Sequence, residues 1–208
     1  MSDDSAWLPL FPLKAVLFPA GILPLKVFEA RYVDMVSACM RSGKPFGVVL
    51  IRSGQEVGAA ADPEEVGCLA HITDVDMAEM GMMNLRIQGG QRFRILGTRV
   101  LGNQRLEARY EILPDDPEIP VSDIHMHCSK TLKIVIDDIE NRSREAQGED
   151  FISPFSQPIC LESASWVANR WCEILPIPLK ARQKLLELPD AASRLSLIHQ
   201  YLQQHEII

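Results

Sequence analysis

The 208-residue sequence predicts an α+β fold, β-rich over residues 1–118 with one helix, and helical over residues 119–208. Three observations carry that prediction. Several runs before residue 113 alternate apolar and polar residues, the period of a half-buried strand. Beyond it, apolar residues recur every three or four positions, as on one face of a helix. Between the two regimes stands Leu113-Pro-Asp-Asp-Pro-Glu-Ile-Pro120, whose three prolines and three acids make a stiff, exposed connector.

The elements follow in order. Tyr32, Val36, Cys39 and Met40 share one face of a helix from about Glu29 to Arg41. Gly43 suits a left-handed cap at its end, and Pro45 stops it. Phe46-Gly-Val-Val-Leu-Ile51 is a short, β-branched apolar run, hence a buried strand, and Val66–Val75 reads as another. Leu85 and Ile87 alternate with Asn84, Arg86 and Gln88, and Phe93 and Ile95 with Arg92 and Arg94. Gly89-Gly90 lies between these runs and fits either a hairpin turn or a bulge in one continuous strand. Leu106 to Ile112 alternates cleanly.

In the second part, Ser122 or Asp123 can cap a helix that aligns Ile124, Cys128, Leu132, Val135 and Ile139. Residues 142–158, with charges, Gly148 and two prolines, read as a loop. Ala164, Ala168, Trp171 and Leu175 form a second stripe, and Leu185, Leu186 and Leu188 belong to a short third helix. Asp190 is placed to cap a last helix with Leu195, Ile198 and Leu202 inward.

Bulk properties exclude several function classes. The net charge is −7, and residues 114–208 hold 9 Lys/Arg against 15 Asp/Glu, so no basic stripe for a phosphate backbone is expected. Nucleic acid is therefore not an expected partner. No apolar run approaches the roughly 20 residues of a membrane helix. The start Met1-Ser-Asp-Asp-Ser5 is acidic, unlike a signal peptide, so the expected location is cytoplasmic. Five cysteines, odd in number and without a C-x-x-C pair, read as free thiols in a reducing compartment.

A string of motifs spans the chain: Leu8-Pro-Leu-Phe-Pro-Leu-Lys-Ala-Val-Leu-Phe-Pro19, then Leu23-Pro-Leu-Lys-Val-Phe-Glu-Ala-Arg-Tyr32, Phe46-Gly-Val-Val49 and Val66-Gly-Cys-Leu-Ala70. Gly89-Gly-Gln-Arg-Phe-Arg-Ile95 follows, and near the end come Leu175-Pro-Ile-Pro178, Lys184-Leu-Leu-Glu-Leu-Pro-Asp190 and Arg194-Leu195. In this order they resemble the Lon N-terminal (substrate-binding) domain family, as a stand-alone bacterial-type domain. The resemblance implies a β-rich pseudo-barrel subdomain followed by a helical bundle. It also implies a role in substrate recognition and assembly, with the chemistry of Lon proteases carried by other modules. No G-x-x-x-x-G-K-[ST] loop occurs, and nothing matches the family's serine–lysine protease motif. With the chain ending at Ile208, the expectation is a module with neither ATPase nor protease, no cofactor and no catalytic residue.

His125 and Cys128 share a helical face near His127, but a zinc site needs about four ligands, so no metal is expected. Ser163 and Ser165 lack a nucleophile elbow and read as helix-start or surface residues. Glu29 and Arg31 read as fixing the strand-to-helix corner. Met77, Met80, Met82 and Met83 crowd a polar segment between two strands. Methionine suits surfaces that accept varied apolar partners, so these four form the candidate polypeptide-binding surface. The alternative is a hairpin whose methionines pack back on the barrel.

The expected function is a non-catalytic module that binds unfolded or partly folded polypeptides, or one protein partner. The competing readings are a small-ligand sensor with a pocket between the subdomains and, on the Lon resemblance alone, a peptidase. Oligomeric state is left open.

Overall fold

The computed structural model describes residues 7–79 and 81–208, and is α+β as expected, with a strand unit and a helical unit. The first unit runs to Asp115 and also takes in residues 178–187. Its strands are β1 (Leu8–Leu13), β2 (Ile22–Val27), β3 (Phe46–Ser53), β4 (Asp62–Pro63), β5 (Val66–Glu79), β6 (Met82–Val100) and β7 (Leu106–Ile112). Helix α1 (Ala30–Ser42) lies between β2 and β3.

Strand order β1-β7-β6-β5-β3 closes on itself, because β1 also pairs with β3, in parallel, through Leu10↔Gly47 to Leu13↔Leu50. The result is a five-stranded pseudo-barrel, whose closure leaves none of those five strands at a bare edge. β6 is long enough to serve two neighbours in succession. Met83–Gln88 pairs with β2, and Phe93–Val100 pairs with β7, while β5 lies along its other side. Alternation is kept along it: Met83, Leu85 and Ile87 are buried, and Met82, Asn84, Arg86 and Gln88 are half-buried.

Gly89-Gly90 makes no hairpin. Cys68 pairs with Arg92 and Ala70 with Gly89, so two residues of β6 face one of β5, a bulge in a continuous strand. Helix α1 ends as predicted, with Gly43 at φ 65°. It buries Tyr32, Met35, Val36 and Cys39 against Phe11, Phe46, Leu85 and Ile87. A second cluster, around Leu10, Val49, Phe93 and Ala108, fills the rest of the barrel.

Helix α4 (Leu179–Glu187), read from sequence within the helical part beyond residue 118, is instead tied to the strands. Gln183 Nε2 donates to the Val66 carbonyl at 3.0 Å, and Arg92 Nη1 donates to the Leu186 carbonyl at 3.0 Å. An amphipathic stripe records that a helix is covered, not by what.

The second unit comprises Asp116–Ile177 and Leu188–Ile208. Its helices are α2 (Met126–Gln147), α3 (Ala164–Ile174) and α5 (Ala191–Gln204). α2 extends through the stretch read as the start of a loop, helped by Arg142–Asp138 at 2.9 Å and i,i+4 spacing, and stops at Gly148. Its deepest residues are Cys128, Leu132 and Ile136, whereas Ile124 precedes the helix and is exposed. Trp171 Nε1 donates to the Cys128 carbonyl at 3.0 Å across α2 and α3. Asp190 caps α5, accepting from Ser193 N at 2.7 Å, and that bond holds its carboxyl below the usual carboxylate range. Leu195, Ile198 and Leu202 are buried as predicted.

Candidate binding surface

The surface is built on β2. Pro24 has no N–H, so its position must face away from β6, as the Gly89 N to Gly21 O bond of 2.8 Å at the strand's start also requires. Leu23, Leu25 and Val27 therefore bond to β6, pairing with Ile87, Leu85 and Met83. Ile22 and Lys26, in step with Pro24, turn their N–H groups to the free side. Neither N–H has a backbone partner there among the described residues. Beside this edge runs a groove of about 300 Å³ floored by Phe11, Leu13, Leu23, Leu25 and Tyr32. Phe28, just past the strand, and Val57 in the loop opposite stand on its rim, 56% and 55% exposed.

The methionines divide. Met77 is 60% exposed on β5 and Met82 half-buried on β6, while Met80 lies outside the described residues. Met83 is 9% exposed and packs into the barrel with Leu85 and Ile87, so it offers nothing to a partner. Gly81, at φ 87°, turns the hairpin that joins β5 to β6. Phe28 and Val57 were missed by sequence reading, because apolar residues at isolated positions carry no periodic signal.

The other candidates have structural duties. Arg31, buried, pairs with Glu29 at 3.1 Å, donates to the Gln104 carbonyl at 2.8 Å and lies over the Tyr32 ring. Tyr32 stacks on Phe11 at 4.3 Å. The corner motif is thus a clamp between α1, β1 and the β6–β7 turn. His125 meets Ser122 Oγ at 3.0 Å and lies edge-on to His199, and burial first, then His199, lowers its pKa. Burial pushes the Cys128 thiol up to about 11. Among the described residues no three His, Cys, Asp or Glu gather to hold a metal ion. Ser163 caps α3, accepting from Trp166 N, and Ser165 Oγ donates to Asp116 at 2.7 Å. No helix among the described residues is long and apolar enough to cross a membrane.

Comparison with known proteins gives these features a family. The family model described as the ATP-dependent protease La (LON) substrate-binding domain matches residues 7–204. The chain belongs to the LON substrate-binding domain family. A solved Lon N-terminal domain protein from Xanthomonas campestris is 30% identical, with a TM-score of 0.72 over 92% of this chain and 96% of that one. The N-terminal domain of Mycobacterium avium complex Lon protease shares the fold at 15% identity and a TM-score of 0.61, covering 96% and 99% of the two chains. Lon protease of Anaeromyxobacter dehalogenans is 27% identical over 207 residues, which are 96% of this chain and 23% of that protein. Lon protease 2 of Myxococcus xanthus is also 27% identical, over 94% of this chain and 23% of its own length. The chain thus spans about a quarter of the length of the curated Lon relatives it matches.

Proposed function

We propose that this protein is a cytoplasmic, non-catalytic polypeptide-binding module whose β2 edge and adjoining groove hold extended apolar segments of unfolded or partly folded clients. The observation that carries the reading is the pairing of free strand donors, Ile22 and Lys26 N–H, with an apolar groove at their side. An extended peptide added to such an edge gains backbone hydrogen bonds whatever its sequence, and the groove selects apolar side chains. Edge strands are usually blunted, and Pro24 does so here in part: it leaves a carbonyl to accept but no N–H to donate, which limits pairing with further copies of long strands. Phe28, Val57 and Met77 would add apolar burial on binding, and Met77 and Met82 tolerate varied partners.

The test is an anisotropy titration with a labelled, reduced and carboxymethylated protein that cannot refold. Wild type is expected to bind it, and the Phe28→Ser/Val57→Ser/Met77→Ser variant to bind at least tenfold more weakly with an unchanged melting temperature. Equal binding by the two proteins would remove the groove from the account.

A further inference from the structure

A second cavity, of about 360 Å³, lies between α1, β1 and β7 and shares no lining residue with the groove. Its apolar wall includes Leu8, Pro9, Met35 and Ala38, and its polar side carries Lys44 and Arg105. At this size it falls at the small end of ligand pockets, about 300–1,000 Å³. Trp7 and Tyr110 also line it, and Trp7 is held in place by Arg99 at 4.3 Å and Arg109 at 5.4 Å from its ring.

The charged side chains that line the cavity, Lys44 and Arg105, are both basic. Buried Glu107 pairs with both Arg99 and Arg105 at 2.7 Å. Lys44 is exposed, and the Arg105 side chain keeps 21% of its surface accessible. The charge of Arg105 also reaches Cys39 on the cavity wall, opposing the rise that burial gives that thiol. Arg99 and Arg109 thus lie over the Trp7 ring while Lys44 and Arg105 line the cavity, in a chain of net charge −7. A dianion would lose more solvation on the apolar wall than Lys44 and a half-compensated Arg105 return, whereas a monoanion is matched.

We propose that this cavity binds a carboxylate carried on an apolar stem, either the C-terminal residue of a polypeptide or a small branched carboxylic acid. The stem packs on Leu8, Met35 and Ala38, and the carboxylate accepts from Lys44 Nζ and the Arg105 guanidinium. This site is independent of the β2 groove, and its test leaves the groove residues untouched.

The experiment is calorimetric titration of the full chain with three probes: a ten-residue polar peptide ending in Leu-Leu, the same peptide amidated, and 4-methylpentanoate. The free-acid peptide or 4-methylpentanoate is expected to bind, and the amide at least tenfold more weakly than the free acid. Binding of 4-methylpentanoate as tight as the peptide's assigns the site to small acids, and weaker binding assigns it to chain ends. Lys44→Gln, at an exposed position, is expected to keep the melting temperature and abolish the preference for the free acid. Equal binding of acid and amide, an unaltered preference in Lys44→Gln, or no binding of any probe overturns the proposal.

Discussion

Arg194→Met is expected to destabilise the second unit by about 3–5 kcal/mol in urea unfolding, the range for breaking a buried ion pair from one side. Arg194 is 0% exposed and meets Asp116, 5% exposed, at 2.7 Å. It also donates to Asn169 Oδ1 at 2.9 Å and to the Leu188 carbonyl at 3.1 Å. The one guanidinium thus joins α5, α3, the start of the unit at Asp116 and the residue that re-enters it after α4. Methionine keeps the length and loses every donor, which leaves a buried carboxylate with the Ser165 hydroxyl but without its counter-charge. The second variant separates charge from packing. Arg194→Met/Asp116→Leu removes both charges and is expected to recover much of the loss, since apolar replacements of whole buried pairs are often neutral. A single-variant cost under about 1 kcal/mol would mean that the pair is hydrated and not structural.

Gly89→Ala is expected to cost about 3 kcal/mol or more, the upper range of overpacking. A Cβ there would stand 2.0 Å from the Phe18 carbonyl oxygen and 2.9 Å from its carbon. The backbone cannot withdraw cheaply, because Gly89 N donates to Gly21 O and Ala20 N donates to Gly89 O, each at 2.8 Å. The close approach, rather than any turn, explains the glycine. Gly97→Ala on the same strand meets nothing within 4 Å and serves as the control, expected to be neutral or slightly stabilising. Equal melting temperatures for the two variants would contradict this account of the bulge.

What could be read in advance was what local chemistry dictates. The alternation from Leu106 to Ile112, the stop of α1 at Gly43 and the cap at Asp190 each need only neighbouring residues. β1 was visible as a motif and not as a strand, and β2 only as the unbounded strand implied before the Glu29–Arg31 corner, because Pro9, Pro12 and Pro24 argue against a central strand. They are permitted where the missing N–H faces no partner, which depends on pairings far along the chain, such as Pro9↔Glu107. In α2 three consecutive residues, Ile134, Val135 and Ile136, admit two stripes, and the choice falls to packing. The candidate binding surface was half legible. The methionine segment lies at the end of the sheet that carries β2, but the face on which each methionine falls follows from the register of β6. Met83 went inward by that register, and Phe28 and Val57 came to the rim through loops whose position no period encodes.

The most direct measurement is amide hydrogen exchange of the full chain with and without saturating unfolded polypeptide. Binding along the edge predicts slowed exchange in peptides covering Ile22–Phe28 and the loop around Val57, with Ile22 and Lys26 the amides that gain acceptors. Slowing confined to other segments, with β2 exchanging as in the free protein, would contradict the central claim that this edge receives the client.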